Sequence, residues 1–237
     1  MTLNYPDISI QSIVGAEHWW IQDKKKTYSK GRLIFAFLPH VHQVPYTAIP
    51  IGREEATVHR TCKLRIEPFS AKNYQPSRPL QVAGMTLFPG EIWALYKAKR
   101  RPALIISEGW LDIEPGLRKG QPRKQTAPTL LVAPYYGAHG EGKRAGLKKE
   151  FLERIRRCEY PQLMSDLLPI PGGEESILRF DHIQPIGKHH DSVELTSFVL
   201  GHDAIEVIDE WITWITTGKF AKNGWIDQTR KEFLDGY

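Results

Sequence analysis

Two apolar runs joined by a short basic segment, in PGEIWALYKAKRRPALIIS from Pro89 to Ser107, constrain the fold more than any other feature of the chain. Glu91 to Tyr96 and Pro102 to Ile106 are rich in Ile, Trp, Leu and Tyr, which suit a pleated, half-buried surface. With so few residues between them they read as a tight β-hairpin. TLLVAPYYG, from Thr129 to Gly137, reads as a third strand, and ESILRFDHIQPI, from Glu175 to Ile186, as a late one. Residues two apart in a strand point the same way, so Arg179 and Asp181 are expected on one face with Ile177. Leu178 and Phe180 are expected on the other. Taken alone, one basic and one acidic group on an exposed strand read as a surface ion pair of little consequence.

Helices are fewer. Asp203 is an expected N-cap, with Glu206 completing a capping box. Ala204, Ile205, Ile208, Trp211, Ile212 and Ile215 then recur at helical spacing, and Gly218 ends the run. A wide Ile and Trp stripe means core packing, so Ile208 and Trp211 are expected to be buried. A second helix is expected from Gly146 to Cys158 (GLKKEFLERIRRC), with Phe151, Leu152 and Ile155 as its apolar stripe. Its Lys148, Lys149, Arg154, Arg156 and Arg157 form either a solvated face or a contact for an RNA backbone. Residues 1–80 lean towards β structure, with Pro39, Pro45 and Pro50 pointing to edge or bent strands. SAKNYQPSRP, from Ser70 to Pro79, reads as a connector. This divides the chain into a β-rich extension over 1–80, a main domain over 85–218, and a polar tail over 219–237.

Composition narrows the class of protein. The 237 residues suffice for one large domain or two small ones, and 41% hydrophobic with 25% charged residues is ordinary for a globular chain. A formal net charge of +5 mildly favours an anionic partner. Cys62 and Cys158 have neither pairing nor metal-ligand spacing, which points to a reducing compartment. There is no basic start followed by an apolar run, and nowhere do eighteen apolar residues follow one another. The expectation is a cytoplasmic protein without a membrane span. His40 and His42 share a strand side but lack a third ligand in the sequence, so no metal and no cofactor are expected. Trp19 and Trp20 beside Lys24, Lys25 and Lys26 read as a hydrophobic anchor before a solvated charge run, with base stacking as the lesser alternative.

The order of the strand motifs resembles that of the PemK/MazF/Kid toxins, small β-barrel endoribonucleases of toxin–antitoxin systems. The first match is Gly-Glu-Ile-Trp, a basic turn, then Arg-Pro-Ala-Leu-Ile-Ile-Ser. The second is Arg179-Phe180-Asp181-His182-Ile183, matching the Arg-x-Asp-x-(Ile/Val) at the end of a late strand. The resemblance implies an α+β fold: an SH3-like small β-barrel of the CcdB/MazF type over 85–218, finished by a helix, with an N-terminal β-rich segment and an inserted basic helix. It implies a catalytic set of Arg101, Arg179 and Asp181, with Lys97, Lys99, Arg100, Arg154 and Arg157 as RNA contacts. It also implies RNA as substrate, a homodimer and a cognate antitoxin.

Several positions depart from the family pattern. Only Lys97, Ala98, Lys99 and Arg100 stand where many members carry a longer loop, and no histidine lies between Glu91 and Ser107. Pro134 and Tyr135 stand where the MazF-type strand has its Thr. His182 is expected to point away from Asp181 in a regular strand, and His189 and His190 to lie in a loop. The implied chemistry is attack of a ribose 2′-OH on the adjacent phosphorus, with Asp181 taking the proton, Arg101 stabilising the phosphate and Arg179 near the leaving 5′-oxygen. No metal is needed, because the nucleophile belongs to the substrate. The alternative is an inactive barrel of the same kind that binds nucleic acid or protein.

Overall fold

The structure, a computed structural model, describes residues 3–73, 87–88, 90–109, 120, 129–140, 145–188 and 191–234. Four α-helices and eleven strands occur among them. The first half holds α1 (Ile10–Val14), β1 (Trp20–Gln22), β2 (Arg32–Pro39), β3 (Tyr46–Arg53), β4 (Cys62–Pro68), β5 (Ala94–Leu95) and β6 (Ala98–Ser107). The second half holds β7 (Thr129–Gly137), α2 (Lys149–Arg156), β8 (Leu163–Leu167), β9 (Glu175–Arg179), β10 (Gln184–Gly187), β11 (Val193–Leu200), α3 (His202–Thr217) and α4 (Trp225–Leu234). The chain divides into two compact units, Met1–Phe37 with Arg100–Tyr237, and Leu38–Lys99.

The large sheet runs β1-β11-β2-β6-β7-β9-β8, with β10 pairing to β7 off this path. The β1–β11, β11–β2, β6–β7, β7–β9, β9–β8 and β7–β10 pairs are antiparallel. The sheet curls strongly into a half-barrel, so the α+β class read from the sequence holds. Register slips between Leu195 and Val199, and between Ile105 and Ser107, mark irregularities of the kind that bend strands and tighten twist. The smaller sheet is β4-β3-β5. Its β5 pairs with Tyr46 and Thr47, and Ala48 donates to the Trp93 carbonyl at 3.0 Å; among the described residues no strand pairs with Pro50 on that side, so its missing N–H forfeits no strand bond there.

The hairpin expected between Glu91 and Ile106 does not form. Its first run supplies β5 to the small sheet, whereas its second is β6 of the large one. Lys97-Ala98-Lys99-Arg100 contains no Gly, Asn or Asp to take the positive φ of a two-residue hairpin turn, and β6 already begins at Ala98. The boundary read near residue 80 also differs from the structure. β1 and β2 are built into the large sheet, with β2 between β11 and β6, so residues 1–37 complete that unit. The half-barrel therefore draws on the N-terminus as well as on 85–218.

The middle strands are buried on both faces, with Ala103, Leu104, Ile105 and Ile106 of β6 buried in succession. Leu33, Leu104, Ala133, Tyr135, Leu178 and Phe180 fill one side of the large sheet, against Val207, Ile208, Trp211 and Trp214 of α3. Trp211 is fully buried, stacks on Phe180 at 5.6 Å between ring centroids, and donates from Nε1 to the Pro161 carbonyl at 3.0 Å. A second cluster joins Leu152 and Ile155 of α2 to Ala138 and Ile177. The Gly146–Cys158 helix is shorter than read, because Gly146 to Lys148 are not helical and Lys148 has the extended conformation of a cap.

Asp203 is not the N-cap of α3. That position is Gly201, which lies so close to the β1 approach that a Cβ there would stand 2.1 Å from the His18 carbonyl oxygen. Asp203 sits instead in the first turn, where its charge suits the helix N-terminus. Gly218 closes the helix in the left-handed conformation, as its position in the sequence implies. The 219–237 tail contains α4, with Ile226 and Thr229 fully buried. Its first backbone N–H groups, at Trp225 and Ile226, donate to the Glu210 carboxylate of α3 at 3.1 Å each. That cap comes from a distant residue and leaves no local signature.

The N-terminal segment is fastened by a buried carboxylate. Asp166 of β8 accepts from the hydroxyls of Tyr5 and Tyr135 at 2.8 Å each, and from the Trp20 indole at 3.3 Å. Trp19 is fully buried in the main core, so the tryptophan pair is an anchor rather than a base-stacking surface. Arg32, also fully buried, pairs with Asp23 and donates to the Thr27 carbonyl. No helix among the described residues is long and apolar enough to cross a membrane.

Two outcomes follow from this packing. Trp211→Ala should cost about 3–5 kcal/mol in urea unfolding, the usual result of truncating a large core side chain. Burial pushes the Asp166 carboxyl up to about 6, against its hydrogen bonds from Tyr135, Tyr5 and Trp20. A carboxyl with a higher pKa folded than unfolded holds its proton better when folded. Its cost is therefore absent below pH 4 and appears as pH rises towards 6, reaching about 3 kcal/mol. The stability of wild type relative to Asp166→Asn should fall across that interval, and a constant difference would show that the carboxyl is ionised at no extra cost.

Candidate active site

Three adjacent strands bring the candidate residues together. The β6–β7 register pairs Ala103 with Pro134, so Arg101 and Tyr136, each two residues further out, continue it. The β7–β9 register pairs Tyr136 with Ile177, and Arg179 lies two residues beyond Ile177 on the same face. This is the side opposite the Tyr135 and Leu178 core. The Arg101 guanidinium stands over the Tyr136 ring at 4.1 Å from the centroid, and that of Arg179 at 5.6 Å. Arg101 is buried while Arg179 is half-buried.

β9 ends at Arg179, and Phe180–His182 form a turn of 3-10 helix. The expected continuous strand through Asp181 is thus corrected. Arg179 and Asp181 meet all the same, in a two-point pair with Nε to Oδ1 at 2.7 Å and NH2 to Oδ2 at 2.6 Å. Burial raises the Asp181 carboxyl, but the bonds and charge of Arg179 outweigh it and hold the group below its usual range. The Asp181 bonds in turn raise the guanidinium of Arg179. A carboxylate held low is a weak proton acceptor, and a guanidinium held high is a poorer acid than before.

The same turn carries His182 back into the cluster, against the expectation that it would point away. Its Nε2 is 3.2 Å from Arg179 NH2 and 3.9 Å from Asp181 Oδ2. Its Nδ1 is 2.8 Å from the Tyr136 hydroxyl, and the two rings meet edge to face at 5.4 Å. Tyr136 and His182 are the residues that the sequence reading missed. The alternation of β7 was a usable signal for Tyr136, because Tyr135 and Tyr136 must face opposite sides. No local signal marked the turn.

The expected RNA contacts are scattered. Arg100 pairs with Glu194 and lies over Phe35 at 4.2 Å, on the strand side opposite Arg101. Arg154 pairs with Glu159 at 2.7 Å and lies over Tyr160, while Arg157 is half-buried. Arg156, the most deeply engaged cation of α2, binds Glu175 through Nε at 2.7 Å and NH2 at 2.6 Å. Lys97 and Lys99 are exposed and belong to the Leu38–Lys99 unit, outside the unit that holds the cluster. His189 and His190 lie outside the described residues. An open pocket lined by Asn4, Pro6, His139, Gly140, Leu167, Glu174 and Glu175 contains none of the candidate residues. Its Glu175 carboxylate is already taken by Arg156 and by the Ser165 hydroxyl at 2.6 Å.

Two guanidinium groups and an imidazole around one phenol, with a carboxylate paired to one of the guanidinium groups, can bind an oxyanion and move a proton beside it. Comparisons with protein-family models, with curated proteins and with solved structures return no match.

Proposed function

We propose that the chain is a metal-independent endoribonuclease, which cuts single-stranded RNA by attack of the 2′-OH on its own 3′-phosphate. The observation that carries this reading is the convergence of Arg101 and Arg179 on one tyrosine ring, with Asp181 paired to Arg179. Arg101 and the Arg179–Asp181 pair come from separate sequence motifs, yet Arg101, Tyr136 and Arg179 share one face of three adjacent strands, with Asp181 bonded to Arg179 from the turn that follows. In this reading Arg101 and Arg179 hold the phosphate oxygens, and Arg179 leaves its partner to do so. Asp181 then supplies negative charge beside the attacking hydroxyl. A toxin of a toxin–antitoxin pair, in the cytoplasm with an antitoxin protein as partner and assembled as a homodimer, is the setting that goes with this chemistry.

The bidentate Arg179–Asp181 pair favours the second reading, an inactive barrel that binds nucleic acid or protein, because each group satisfies the other. One assay separates them. Purified full-length protein, given a mixed RNA in EDTA, should yield products with 2′,3′-cyclic phosphate and 5′-hydroxyl ends. DNA should remain uncut, for want of the 2′-OH. Arg101→Ala should lower the rate by about 10²-fold, on the scale seen when one charge-stabilising donor is removed. Asp181→Asn should cut more slowly but bind RNA as well or better, since it releases a cation. Binding without any cleavage would establish the second reading, and a requirement for magnesium would refute the first as stated. Light scattering at micromolar concentration should give a mass near twice 27.2 kDa, whereas a single-chain mass would remove the dimer.

A further inference from the structure

We propose that His182 is the proton acceptor of the site, with Tyr136 fixing its tautomer; the assignment rests on the endoribonuclease reading. The argument begins with donors. A guanidinium carries N–H donors only, so the 3.2 Å contact from Arg179 NH2 makes Nε2 of His182 the acceptor. The ring proton of the neutral imidazole then lies on Nδ1, 2.8 Å from Tyr136 Oη, which receives it. The hydrogen of the Tyr136 hydroxyl is left for another acceptor, and a phosphate oxygen suits it.

Among the described residues, the charged groups named here around the imidazole fit this role. Arg179 faces it from β9, Tyr136 from β7 and Asp181 from its own turn, while Arg101 of β6 lies over the Tyr136 ring. When Arg179 turns onto the phosphate, its N–H no longer occupies Nε2, which can then take a proton. Asp181, 3.9 Å away, then stabilises the imidazolium by its charge. The step balances within the substrate and solvent. The 2′-oxygen loses its proton to Nε2 as it bonds to phosphorus, and the bond from phosphorus to the 5′-oxygen breaks. Water protonates that leaving oxygen, and the resulting hydroxide takes the proton back from His182. No oxidant, metal or other co-reactant enters.

The test uses full-length protein and the RNA assay in EDTA from pH 5 to 9. The wild-type rate should rise with pH through the histidine range to a plateau. His182→Ala should fall by at least about 10²-fold and lose that inflection, the size expected for a general base, while its RNA affinity is unchanged. Added imidazole should restore part of its rate, which a purely structural role would not allow. His182→Asn, which keeps a donor near Tyr136 but accepts no proton at these pH values, should be as slow and should melt like wild type. Nitrogen NMR above the titration should place the ring proton on Nδ1. A wild-type rate or an intact inflection in either variant, no rescue by imidazole, or a proton on Nε2 overturns the assignment while leaving the nuclease reading in place. No cleavage of any RNA by the wild type overturns both.

Discussion

The buried hydrogen bond between Tyr135 and Asp166, near the β8 edge of the large sheet, is the contact on which the rest of the structure turns. It joins β7 to β8 across β9, and the same carboxylate reaches back to Tyr5 and Trp20 at the start of the chain. Burying a carboxylate is costly, and here two hydroxyls and an indole offset part of that cost. The bond also fixes which side of β7 faces inward. With Tyr135 turned into the core, Tyr136 has to stand on the other side, and the candidate site is assembled around its ring. A register slip of one residue in β7 would exchange the two tyrosines and disperse the cluster.

The sequence revealed the parts of the molecule with a strong local period. Thr129–Gly137 is a strand over the range that was read, and α3 carries its Ile and Trp stripe into the core and stops at Gly218. What it concealed depends on distant partners. The N-terminus of α4 is satisfied by Glu210 of another helix, and Gly201 begins α3 because the backbone at His18 passes too close for a side chain. The placement of β1 and β2 is legible only through residues from the far end of the chain. The hairpin reading failed for a local reason. Two runs of strand-forming residues were visible, but the chemistry of the residues between them belonged to a continuing strand.

The site was partly legible in the same sense. Arg101, Arg179 and Asp181 were singled out by motif, and the structure brings the two arginines to one ring with Asp181 paired to Arg179. The role of each changed once geometry entered. Asp181 is held by the guanidinium beside it, which shifts attention from the carboxylate to the imidazole that strand alternation had excluded. A three-residue turn at Phe180 reversed the expected direction of His182. A binary in-or-out rule for strands cannot anticipate such a turn.

The placement of β2 between β6 and β11 has a temporal consequence. The Thr196 hydroxyl bonds the Leu33 carbonyl across 163 residues of sequence, so a chain emerging from the ribosome holds β2 for most of synthesis without its last neighbour. Non-local pairing of this kind slows folding, and an apolar strand waiting with an open edge invites the wrong partner. The nascent polypeptide thus passes through a long vulnerable interval.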